Sequence, residues 1–185
     1  MSQTRRDGHR ADDDRDRPGW RSLEVVEAGP EQGPIIERLL QLYQYDFSEI
    51  EGQWAGGSVD ASGLYRHIPP WTHWNEPDHH AFLVRVDGEL AGFVLIKPAH
   101  DEWSDLASRI VDEFFIMRKY RRRGVGREVA RRVFDRLPGR WALQQTPGNL
   151  VAQKFWRGML ADYTRGRFED AVLDGRPTQR FSNLH

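Results

Sequence analysis

The chain of 185 residues reads as a mixed α/β domain, with a central sheet and helices on its faces. Three observations predict that class. Two strand-like runs flank Asp87-Gly88, the strongest short-range signal for a β-hairpin. Ile110 to Met117 is nearly continuous in apolar residues after Asp112 and Glu113, as a strand buried on both faces requires. Directly after it, Val125, Val129 and Val133 with Ala130, Phe134 and Leu137 recur at helical spacing and build one apolar face.

The elements follow in order. Leu23 to Glu27 is a first strand. Pro30 and Pro34 introduce a helix carried by Ile35, Ile36, Leu39, Leu40, Leu42 and Tyr43, and a second short helix is expected from Asp46 to Ile50. Residues 51–80 lack periodicity and are rich in Gly, Pro, Trp and His, so they read as a binding loop or lid. The hairpin strands are Ala81 to Val86 and Glu89 to Lys97. Gly124 opens the next helix and Pro138-Gly139 stops it. Trp141 to Gln145 is a short strand. Asn149 to Leu160 is an amphipathic helix with Ala152, Phe155, Trp156 and Met159 on one side. Tyr163 to Phe181 holds two weaker strands split by Asp174-Gly175. Residues 1–20 carry many Arg and Asp and almost nothing apolar, so they are expected to be a disordered charged tail ahead of one domain at 21–185.

Composition narrows the function classes. Lys plus Arg is 27 and Asp plus Glu is 28, so no global field draws the chain to nucleic acid or to an anionic membrane. The absence of cysteine excludes a disulfide scaffold, a zinc–thiolate site and a cysteine nucleophile, and it fits a cytoplasmic location. No run reaches the roughly 18 apolar residues that a membrane-spanning helix needs. The charged N-terminus has no apolar core of the kind a secretory signal contains. The histidines lack metal-ligand spacing, and the adjacent pair His79-His80 would point to opposite faces of a strand, so no metal is expected.

The most informative stretch is Arg121-Arg122-Arg123-Gly124-Val125-Gly126-Arg127, between the buried strand and its helix. A helix N-terminus carries unpaired N–H groups and a partial positive charge. Glycine lets an anion approach that backbone closely, and arginines add charge-assisted bonds to phosphate oxygens. A pyrophosphate is the natural occupant. A Walker loop would need Gly-Lys-Ser/Thr, which Arg127-Glu128 does not supply. A dinucleotide fingerprint would need a third glycine where Val129 stands. Residues 118–132 hold eight basic residues against one Glu, yet no aromatic stacking platform accompanies them, so nucleic acid ranks last.

Two motifs in order then resemble the GNAT (Gcn5-related N-acetyltransferase) family. Arg121, Gly124 and Gly126 match its cofactor motif, and Asn149, Ala152, Phe155 and Trp156 match a second motif in the following helix. The resemblance spans Leu23 to about Phe181. It implies a mostly antiparallel central sheet splayed between two parallel strands, with helices on both faces, and acetyl-CoA as co-substrate. The pantetheine arm would pair with the backbone of Phe114, Phe115 and Ile116. The N–H groups from Arg122 to Arg127, including Arg123 and Val125, would hold the pyrophosphate. Asn149 would contact the pantetheine or thiol end, and Phe155 would pack on the cofactor or in the core.

The chemistry this implies is direct attack of an amine on the thioester. An alkylammonium with a pKa near 10 must first lose a proton, and a carboxylate accepts it, often through water. Glu113 is the candidate base. Asp112, expected on the opposite face, is the alternative. Where many family members carry a tyrosine as general acid, this chain has Trp156, so Tyr163 is the candidate substitute. Trp54, Tyr65, Trp71 and Trp74, with His67, His73 and several acids, are expected to wall the acceptor pocket, as suits a cationic and partly apolar amine. The expected partner is a small-molecule amine, with neither nucleic acid nor membrane, and a homodimer is left open. The alternatives are acetylation of a protein N-terminus or lysine, and a catalytically weak CoA-binding module.

Overall fold

The computed structural model describes residues 19–51, 58–65, 74, 76–100, 103 and 105–184. Within them, seven strands form one sheet in the order β1-β2-β3-β4-β5-β7-β6. The strands are β1 (Leu23–Glu27), β2 (His80–Val86), β3 (Glu89–Pro98), β4 (Arg109–Ile116), β5 (Arg140–Gln144), β6 (Glu169–Leu173) and β7 (Arg176–Ser182). The helices are α1 (Gly33–Glu51), α2 (Val125–Arg136) and α3 (Leu150–Thr164). All neighbouring strands pair antiparallel except β4 and β5.

Local chemistry explains the punctuation. Asp87 and Gly88 have φ of 53° and 83°, and Asp174 and Gly175 have 51° and 75°. Left-handed conformation at both central residues is the hairpin turn whose twist matches the flanking strands. Asp87 also accepts the N–H groups of Arg21 and Ser22 at 2.8 Å, which ties the start of β1 to this turn. Pro30 begins a 3-10 turn that leads into α1, and Pro34 sits in the first turn of α1, where its missing N–H costs no helical bond.

Two expectations are corrected. The short helix at Asp46 to Ile50 is the last part of α1, which runs unbroken because no Gly or Pro interrupts it after Pro34. The expected tail reaches residue 20, yet Trp20 packs on the core and its indole N–H donates to the Arg123 carbonyl at 3.2 Å. Residues 1–18 lie outside the described residues.

The sheet is buried on both faces. One face packs Phe82, Val94, Trp141 and Phe181 against Val129, Val133 and Phe134 of α2 and Trp156, Met159 and Leu160 of α3. The other packs Leu83, Phe93, Leu95 and Phe115 against Ile36, Leu39 and Leu40 of α1. α1 therefore lies on one side of the sheet, and α2 and α3 lie together on the other. In β3, Gly92 admits the neighbouring strand at close range. A Cβ there would lie 1.9 Å from the Phe115 carbonyl oxygen, a backbone atom that cannot swing away. Gly92→Ala should therefore force β3 from β4 and destabilise the fold by about 1–3 kcal/mol or more, read from the denaturant midpoint.

Candidate active site

β4 and β5 bond in parallel only from Arg109↔Trp141 to Val111↔Leu143. Beyond that point they part. The divergence coincides with a bulge. The β3·β4 register steps from Leu95↔Glu113 to Ile96↔Val111, which leaves Asp112 as the extra residue on β4. The gap opens into a cavity of about 190 Å³ between Asp112, Glu113 and Phe114 on one strand and Leu143 to Thr146 on the other. Tyr43 and Phe47 reach it from α1, Asn149, Ala152 and Trp156 from α3, and Arg176 from β7.

The bulge resolves how the two acids stand. Asp112 and Glu113 line the same cavity, where plain alternation places them on opposite faces. They are not equivalent. Asp112 is paired with Lys97 at 2.5 Å. Glu113 makes no direct ion pair among the described residues, and Lys97 acts on it only as a nearby charge. Burial pushes its carboxyl up from 4.5 to about 7, the Tyr43 hydroxyl that donates to it opposes that shift, and the charge on Asp112 adds to it. In the sequence, Tyr43 reads only as a helix-face residue. Its place at the candidate base depends on how α1 lies across β4.

Past the gap, β4 has an open edge. Met117 N–H bonds to Ala91 at 2.8 Å, so the Ile116 carbonyl turns away from β3 and accepts from Arg121 Nε at 2.6 Å. Alternation turns the Phe114 backbone to the same open side and Phe115 toward β3. Next comes the glycine-arginine turn. Arg122 and Gly124 adopt φ of 59° and 78°, and Gly124 is the cap of α2. The Glu128 N–H bonds back to the Gly124 carbonyl at 3.1 Å. The N–H groups of Val125, Gly126 and Arg127 thus lack intrahelical acceptors and point out of the helix start.

The four arginines divide. Arg121 is exposed but engaged, bonded to the Ile116 carbonyl and ion-paired with Asp46 of α1, which also accepts from Arg118 at 2.8 Å. Arg127 pairs with Asp162 and donates to the Gly158 carbonyl, joining α2 to α3. Arg122 and Arg123 are exposed beside the turn. The missing side chain of Gly126 makes room for Phe155, whose ring carbons lie 3.3 Å from where a Cβ would stand. Phe155 in turn faces Phe114 at 5.9 Å between ring centres. Asn149 caps α3, its Oδ1 accepting from the Ala152 N–H at 3.0 Å, and it lines the cavity.

Other sequence candidates are not brought to the cavity. The Tyr163 hydroxyl donates to Asp135 at 3.0 Å, and its ring packs on Phe134 and Phe181 at the far end of α3. Trp74 donates its indole N–H to the Ala28 carbonyl at 2.6 Å and packs on Gly33, which anchors the chain at the start of α1. Tyr65 is held to α1 by a reciprocal backbone pair with the Gln41 side chain, at 2.8 and 3.1 Å. Trp54, Trp71, His67 and His73 lie outside the described residues.

One buried group stands out. Gln145 is 5% exposed and lines the cavity, yet neither end of its amide has a hydrogen-bond partner. Its N–H bonds to Pro177 at 2.9 Å, so the strand continues through it. Its side chain therefore shares the α2/α3 face with Leu143. A buried amide left unpaired costs free energy unless a ligand satisfies it. Among the described residues, no group of three or more His, Asp or Glu side chains could hold a metal ion, and no helix is long and apolar enough to cross a membrane.

A splayed parallel pair, an open strand edge and a helix start with outward N–H groups come together beside this cavity. The model of the acetyltransferase (GNAT) family matches residues 37–159, more than half of the chain. The chain belongs to that family and is an acyltransferase. No curated protein matches it by sequence. Solved structures share its fold. An acetyltransferase from Thermus thermophilus superposes with a TM-score of 0.63 at 18% identity, covering 87% of this chain and 97% of that one. The PaiA N-acetyltransferase from Thermoplasma acidophilum, in complex with coenzyme A, gives 0.54 at 14%, covering 88% and 99%. An aminoglycoside acetyltransferase from an uncultured soil metagenomic sample, in complex with trehalose, gives 0.53 at 12%, covering 74% and 86%.

The raised Glu113 pKa has a stability consequence. Between its ordinary 4.5 and the folded value of about 7, the folded state binds more protons than the unfolded one. The contribution of this group to stability therefore falls as pH rises through that window and is flat above it. Glu113→Gln should remove that slope, and denaturant midpoints measured from about pH 4 to pH 8 check it.

Proposed function

We propose that the protein transfers an acetyl group from acetyl-CoA to the primary amine of a small molecule, with Glu113 as the base. The observation that carries this reading is Glu113 itself: a half-buried carboxylate lining the cavity at the splay, raised to about 7 because burial outweighs the opposing Tyr43 hydrogen bond and the nearby Lys97 charge. A base of that strength is matched to neutral pH, where it can take a proton from an alkylammonium. Asp112, committed to Lys97, is the weaker candidate. The small-molecule acceptor is supported by the fold shared with an aminoglycoside acetyltransferase.

The chain's own groups fit an acyl-CoA donor. When bound, that donor supplies an activated thioester. The N–H groups of Val125, Gly126 and Arg127 would hold its pyrophosphate, with Arg122 and Arg123 adding attraction. The Phe114 backbone at the open edge and the unpaired Gln145 amide would satisfy the polar groups of its arm, and Asn149 lies beside them. On the opposite face, the Glu113 carboxylate receives the acceptor proton. The Tyr43 hydroxyl holds that carboxylate in place and is the phenol available in the cavity, in the role that sequence reasoning offers to Tyr163.

Two outcomes follow. Coenzyme A should raise the melting temperature of the protein, because a ligand that binds only the folded state stabilises it by about 2.7 kcal/mol at a hundredfold excess over Kd. No shift at millimolar coenzyme A would overturn the cofactor reading. With an accepted amine, kcat/KM should rise through pH 7 as Glu113 ionises, and Glu113→Gln should lower kcat about 100-fold or more and flatten that limb. Because the Tyr43 hydrogen bond lowers the Glu113 pKa, Tyr43→Phe should move the same limb to higher pH.

A further inference from the structure

We infer that the acceptor carries a carboxylate as well as its amine, so that the substrate class is an amino acid, α or ω. This inference rests on the reading of Glu113 as the base and refines it. The charged residues that line the cavity are Asp112, Glu113 and Arg176. Asp112 is ion-paired with Lys97 at 2.5 Å. Glu113 and Arg176 remain as one acidic and one basic group without a direct ion pair among the described residues, Lys97 acting on Glu113 only as a nearby charge. They stand on opposite walls, since β4 and β7 flank β5 on its two sides. Among the described residues, the Arg176 guanidinium meets no carboxylate.

A second observation marks the same wall. Thr146 is 8% exposed, lines the cavity, and its Oγ1 has no hydrogen-bond partner. The β5·β7 register runs from Leu143↔Gln179 and Gln144↔Thr178 to the bond from Gln145 N–H to Pro177. One step further, Thr146 falls opposite Arg176. Alternation sets both on the α1 face, the face of Tyr43 and Glu113, whereas Gln145 lies on the other. A buried hydroxyl beside an unpaired guanidinium is completed by an anionic oxygen acceptor.

The two walls therefore complement a zwitterion. The ammonium goes to Glu113, and the carboxylate goes to Arg176 and Thr146. A second ammonium placed at the Arg176 wall would face like charge, which selects against polycationic acceptors that fill the cavity lengthwise.

The test uses the full chain with acetyl-CoA and reads thiol release from a panel of α- and ω-amino acids, each beside its own carboxamide. Acids should be preferred over their amides by about tenfold or more in kcat/KM, because loss of the carboxylate leaves a polar site unpaired. In Arg176→Gln the preference should vanish through a higher KM for the acids, with kcat and the amides little changed. Thr146→Val should act in the same direction and less strongly. Arg176 is exposed, so an unchanged melting temperature should show that the variant is folded. Equal use of acids and amides by the wild type, or a preference that survives Arg176→Gln, would overturn the inference and leave amine acetylation standing. If neither acids nor amides raise thiol release above the rate without amine, the inference is overturned, and the wider reading of amine acetylation then falls only if simple primary amines give none either.

Discussion

The parallel contact between β4 and β5 ends after Val111↔Leu143, and much of the molecule is arranged around that ending. In a parallel pair every further residue would add a ladder bond and close the gap. Here the bulge at Asp112 breaks the phase of β4 against β3 just where β5 departs. The result is an exposed strand edge inside an otherwise continuous sheet. Such an edge is a liability unless something pairs with it. It is also the place where a ligand with its own amides can bind as a strand would.

The arginine-rich turn is less cationic in effect than its sequence suggests. Arg121 and Arg127 are committed to Asp46 and Asp162, on two different helices. These pairs locate the start of α2 against α1 and α3. What remains for an anion is mainly backbone: N–H groups aimed out of the helix, reached past a left-handed Gly124. Exposed arginine pairs contribute little to stability individually. Their value here is in fixing the turn, which sets the direction of its backbone N–H groups.

Much of the fold is legible in the sequence because its signals are local. Asp87-Gly88 and Asp174-Gly175 specify their hairpins through φ alone. The valines and Phe134 of α2 declare a buried face by period. Asn149 marks a helix start by the cap it makes. The site is legible less evenly. Glu113 can be singled out by its strand, but not separated from Asp112, because a bulge leaves no reliable mark in a single sequence. Tyr43 carries no local signal of its partner, which lies 70 residues further along the chain. Tyr163 and Trp74 are candidates by residue type, and the structure gives them partners away from the cavity: Asp135 and Asn183 for one, the Ala28 carbonyl for the other.

The sequence by itself therefore determined the order of elements, the helix start that can receive an anion, and the family, since these depend on near-neighbour chemistry and on motif spacing. Only the tertiary structure decided what those parts meet. It paired Arg121 with Asp46, set Asp112 and Glu113 in one cavity with different partners, and put Thr146 and Arg176 across from them. The reason is physical. A charge acquires its pKa and its role from burial and from whatever lies within a few ångströms, and those distances are set by strand register and helix packing between residues far apart in the chain.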